Sequence, residues 1–129
     1  MADDVIRRRL NMGYESRIFV VNKAQLGDEK PWGEIIASMN LCCVDNEVLR
    51  GINEYPETDC YIFADGEERT SEDKYGQTMR EIPIPDLIGI LEQAEANDHY
   101  RRYSPCIGLL KGFCLSDWDD GLVCLHYGY

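Results

Sequence analysis

Hydrophobic and polar positions change their rhythm along this chain, which separates a strand-rich first part from a helix-rich later part. "RIFVVNK", from Arg17 to Lys23, is β-branched and aromatic, and predicts a strand buried in part on both faces. "AQLGDEKPWG" follows with the Gly, Pro and charge of a loop. "EIIASMNLCCV" admits two periods. Ile35, Ala37, Met39, Leu41 and Cys43 alternate as in a strand, whereas Ile35, Ile36, Met39, Cys42 and Cys43 fit a helical stripe. The preceding strand and loop favour a strand, joined to the first as a long-looped hairpin. "DNEVLRGINEYPETD" predicts a short helix ended by Gly51 or Pro56. "CYIFAD" predicts a third strand, with Tyr61 and Phe63 on one face and Ile62 and Ala64 on the other. After the polar turn "GEERTSEDKYG", "QTMREIPIP" is a fourth extended piece, and Pro83 and Pro85 place it at a sheet edge or strand end.

From Pro85 the period becomes helical. Leu87, Ile88, Leu91 and Ala94 form one stripe, in a helix opened by Pro85 and Asp86 and closed near Asn97. A second helix follows Ser104, expected to cap Pro105 at the first position, and carries Cys106, Ile107, Leu109 and Leu110 to about Phe113. After the turn "LSDWDDG", the segment "LVCLHYG" alternates Leu122, Cys124 and His126 against Val123, Leu125 and Tyr127, as a last strand would. Strands first and helices later predict an α+β fold: a single domain, with a mainly antiparallel sheet of four or five strands and two or three helices packed on one face. Residues 1–11 read as an N-terminal appendage and residues 12–129 as the globular domain. No internal repeat or low-complexity stretch interrupts it.

Composition agrees with a folded protein: 129 residues, 44% apolar and 29% charged. No apolar run reaches the roughly 20 residues of a membrane-spanning helix, and "MADDVIRRRLN" lacks the apolar middle of a secretory signal. A cytoplasmic protein without a membrane partner is the expectation. Its six cysteines then read as reduced and mostly buried, since a chain of this size folds without a disulfide framework.

Charge alters the picture more. The formal net charge is −11, which repels nucleic acid and anionic lipid and argues against direct nucleic-acid binding. From Glu54 to Asp73, eight carboxylates face a single basic residue, Arg69. Most such runs are solvated surface. "DGEERTSED" lacks the pattern of a calcium loop, so no metal is expected there. Unmixed carboxylates can nevertheless imitate a phosphate backbone before a basic groove. Asp65, Glu67, Glu68, Glu72 and Asp73 are therefore candidate partner-binding residues, together with Asp117, Trp118, Asp119 and Asp120, where an aromatic ring stands among acids.

Two other constellations compete. Tyr100, Arg101, Arg102 and Tyr103 could hold a small phosphorylated ligand between guanidinium forks and rings, or the arginines could simply neutralise a helix C-terminus. Cys124 and His126 share one face of a strand, as a thiol and its base would. Their spacing of about 6–7 Å is too long for a direct hydrogen bond. Cys106, Cys114, Cys124 and His126 lack the paired spacing of a zinc site, and no phosphate-binding, dinucleotide, zincin or hydrolase signature is present. No cofactor and no catalytic residue is assigned, and the chain is not expected to be an enzyme.

"MGYESRIFVVNK", "YPETDCYIFADG" and "LVCLHYGY" resemble segments of small proteins encoded by phages and prophages, over most of residues 12–129. The resemblance supplies no site residues. It implies a context in which small acidic proteins, anti-CRISPR proteins among them, disable a host defence protein by binding it. The leading expectation is thus a non-enzymatic, nucleic-acid-mimicking inhibitor of a basic, nucleic-acid-handling host or defence protein. The alternative is an oligomeric sponge for a phosphorylated signalling nucleotide, with a Cys/His hydrolase third. Homo-oligomers fit the first two.

Overall fold

The computed structural model describes residues 16–24, 31–41, 44–63, 70–97, 101–114 and 122–128. The N-terminal appendage, Cys42, Cys43 and Ala64 lie outside them. Strands β1 (Ser16–Ala24), β2 (Trp32–Leu41), β3 (Arg80–Ile82) and β4 (Leu122–Gly128) form one antiparallel sheet in the order β2-β1-β4-β3. Helices α1 (Asn46–Asn53), α2 (Ile84–Glu95) and α3 (Ser104–Cys114) complete the α+β architecture. Among the described residues no helix is long and apolar enough to cross a membrane.

β1 and β4 are the inner strands, which explains why both read as apolar on alternating faces. Ile18, Val20 and Cys124 enter the core shared with the helices. Phe19, Val21, Leu125 and Tyr127 enter a second, smaller core on the other face, closed by Cys60, Ile62 and Met79. The helices thus pack on one face, while irregular chain covers the other. The two periods of "EIIASMNLCCV" resolve as a strand, and a register shift at Val20/Val21 moves its pairing from Ala37 to Ile35, leaving Ile36 as the extra residue.

Three local expectations need correction. "CYIFAD" forms no regular strand: Tyr61 bridges Trp32 in parallel and Ile62 bridges Thr70. The fourth extended piece does lie at the sheet edge, as Pro83 and Pro85 led one to expect, as a strand of three residues that ends before Pro83. Gly51 lies inside α1 rather than ending it: the helix runs on to Asn53, before Pro56, and a Cβ at Gly51 would make only ordinary contact with Ile90 of α2 at 3.4 Å. Ser104 does not cap α3. The Tyr103 carbonyl accepts the first helical bond from the Ile107 N–H, and the Ser104 hydroxyl donates to Glu95 instead.

Candidate functional site

The structure divides the predicted residues into three groups. Asp65, Glu67, Glu68, Asp117, Trp118, Asp119, Asp120 and Tyr100 lie outside the described residues. Glu72 is exposed, and Asp73 is half-buried. Asp73 organises a turn: its Oδ1 accepts the N–H groups of Tyr75 at 2.8 Å and Gln77 at 3.1 Å, with Gly76 at a φ of 76° that favours glycine.

The basic-aromatic cluster is largely engaged within the molecule. Tyr103 is buried. Its hydroxyl donates to Asp45 Oδ2 at 3.0 Å and accepts the Asp45 N–H at 3.1 Å. Arg102 forms an ion pair with the same carboxylate at 3.3 Å and lies over the Tyr103 ring. Together these contacts tie the turn before α3 to the first turn of α1. Arg101 is exposed, but Arg102 and Tyr103 are not arranged as an open phosphate clamp.

Cys124 and His126 also point away from thiol chemistry. Burial, with Cys106 and Cys114 near, pushes the Cys124 thiol far above its usual range, the reverse of what a nucleophilic thiolate needs. His126 Nε2 lies 2.7 Å from Ser16 Oγ, and burial holds its pKa down at about 4, against a smaller opposing effect of Asp73. The ring is therefore neutral at pH 7. Ser16 is completely buried, so this pair does not present a nucleophile to solvent. Burial likewise raises Cys60 to about 11 and Cys106 to about 12. Among the described residues no cluster of His, Cys, Asp or Glu is suited to a metal ion.

Two features escape sequence reasoning. The first is an aromatic group on the sheet margin. Trp32 opens edge strand β2 and stacks on Phe63, with centroids 5.4 Å apart and planes 22° apart; Tyr61 lies 6.4 Å from Trp32. Gly33 creates this arrangement. Its N–H donates to the Tyr61 carbonyl at 2.8 Å, and the Tyr61 N–H donates to the Pro31 carbonyl at 3.0 Å. The neighbouring chain then buries Cys60 and Ile62 on one side and turns Tyr61 and Phe63 to the other, with Trp32 and Glu34. Phe63 is 49% exposed, and Trp32 belongs to neither core. Carboxylates occur on the same two segments: Glu34 of β2 is exposed, and Asp59, two residues before Tyr61, pairs with Lys23 at 2.9 Å while its side chain stays 64% exposed. Its signal was present in "PWG" and "CYIF", but those pieces lie a loop, a strand and a helix apart.

The second feature is a cavity of about 560 Å³ beside β3, at the opposite edge of the sheet. Arg80 and His126, direct partners across β3 and β4, form part of its lining. Leu49 and Asn53 of α1 line it too, as do Glu57 and the Asp73–Thr78 turn. Comparison with known proteins finds no matching family model, no matching curated protein and no matching solved structure, so the chemistry of these two sites has to carry the functional reading.

Proposed function

We propose that this chain is a non-enzymatic binding protein that uses a negatively charged surface to occupy the nucleic-acid-binding region of a basic host or defence protein. The observation that carries the reading is the stack of half-buried Trp32 on exposed Phe63 at the sheet margin, with exposed Glu34 on the same strand and exposed Asp59 on the same segment. Large exposed rings are the usual energetic centre of a protein interface. Carboxylates around them select a basic partner and speed its encounter. The formal charge of −11 supports the same choice at longer range, and the resemblance to phage proteins supplies the anti-defence context. The nucleotide-sponge alternative has less support, because Arg102 and Tyr103 are engaged with Asp45.

The test is affinity capture from host cells, followed by binding measurements on the protein retained. The reading expects a basic protein that is released as salt rises and is displaced by duplex DNA or RNA. A Trp32→Ser/Phe63→Ser variant should bind about several hundredfold more weakly, since each lost interface aromatic costs about 2 kcal/mol. Lys at Glu34, Glu67, Glu68 and Glu72 should abolish the salt-sensitive part. Equal binding by both variants, or retention of a partner indifferent to salt and nucleic acid, would overturn the proposal.

A further inference from the structure

The β3-edge cavity combines opposite charges that form no direct ion pair among the described residues. Glu57 bridges Arg80 through the backbone, and Asp73 enters from the turn, so two carboxylates and one guanidinium line the same space. Among the described residues neither carboxylate forms an ion pair with Arg80. One Arg80 nitrogen, Nη1, donates to the Tyr55 carbonyl at 2.9 Å, which fixes the fork while leaving it further donors. Asp73 keeps Oδ2 beyond the two turn bonds that Oδ1 accepts. No hydrogen bond among the described residues engages the side chains of Asn53, Glu57, Gln77 or Thr78. The lining is thus charged, hydrogen-bond-rich and largely unsatisfied from within.

That combination discriminates among ligands. A simple anion meets two carboxylates, and a phosphate meets them more strongly. A simple cation is attracted by the carboxylates but opposed by Arg80. A molecule with both charges a few ångströms apart satisfies each partner, and charge-assisted hydrogen bonds are the strong ones. The volume of about 560 Å³ lies in the range of small-molecule sites. His126 adds an uncharged imidazole, so it does not alter the charge balance. We propose that this cavity binds a small zwitterion of the amino-acid class, its carboxylate on Arg80 and its ammonium between Glu57 and Asp73. The site lies at the other sheet edge from the Trp32 group, so it stands or falls independently of partner binding.

The experiment is isothermal calorimetry of the intact chain with the twenty common amino acids, alongside primary amines and carboxylic acids matched to any that bind. At least one amino acid should bind at submillimolar concentration, with its single-charge counterparts about tenfold or more weaker, the loss expected for one charge-assisted hydrogen bond. Arg80→Gln should weaken binding by a similar factor. Because that change also removes the bond to Tyr55, the exposed Glu57→Gln serves as the second variant, with circular dichroism as the check on folding. No heat from any amino acid at millimolar concentration would overturn the assignment. So would single-charge compounds that bind equally well, or undiminished binding by a folded Glu57→Gln protein.

Discussion

His126 is 7% exposed and is held neutral, and this ties the fold's stability to pH in the acid range. Its folded pKa of about 4 lies below the ordinary 6.5, so between those values the unfolded chain binds more protons than the folded one. Stability is complete above pH 6.5 and declines as pH falls toward 4, by on the order of 3 kcal/mol at full extent. Urea titrations at pH 7 and pH 4.5 should show this loss, and His126→Gln, although weaker at pH 7, should lose much less between the two. A parallel pH dependence in both proteins would contradict it. Gly33 is the complementary case, a residue defined by what it lacks. A Cβ there would lie 2.8 Å from Cys60 Sγ and 2.9 Å from Ile62 Cγ2. Gly33→Ala should therefore cost about 1–3 kcal/mol by overpacking, read as a lower urea midpoint, and should shift the Trp32 environment in fluorescence.

At the scale of elements, Tyr103 joins the turn before α3 to α1. Its hydroxyl accepts the Asp45 N–H at the start of α1, so Tyr103→Phe leaves that donor unpaired. The expected loss is about 1–3 kcal/mol in chemical denaturation, with the far-ultraviolet spectrum unchanged. The elements themselves were legible where one period ran long enough: α2, with Leu87, Ile88, Leu91 and Ala94 buried, and β4, with alternate residues in two cores. "CYIFAD" misled because alternation records burial, and a chain lying on a sheet alternates as a strand does. Neither site could be read from spacing. Trp32 meets Phe63 only through the parallel bridge at Tyr61, and Arg80 meets His126 only through strand pairing. Arg102 and Tyr103, adjacent in sequence and therefore conspicuous, are engaged with Asp45.

For the whole molecule, excess negative charge acts against compactness. The ion pairs Lys111–Glu92, Lys23–Asp59 and Arg102–Asp45 are partly or largely exposed, and such pairs contribute about 0–1 kcal/mol each. Repulsion within a chain of charge −11 is spread over all its carboxylates and is screened within about 10 Å at 0.1 M salt. Screening should relieve more repulsion than it removes attraction. The melting temperature is therefore expected to rise between 20 mM and 500 mM sodium chloride, on the order of several degrees for 1 kcal/mol gained. A fall would show that the ion pairs outweigh the net charge.

The strand order β2-β1-β4-β3 sets a schedule for synthesis. β1 can pair with β2 soon after both leave the ribosome, but its other edge must wait for β4, since Ser16 and His126 are 110 residues apart. At about 5–20 residues per second that wait is on the order of 5–20 s. Throughout it, Ile18 to Val21 present apolar side chains and an unpaired backbone edge, the template on which nascent chains aggregate. A chaperone that covers this edge should increase the yield of folded protein, and a slower-translating message, which lengthens the wait, should lower it.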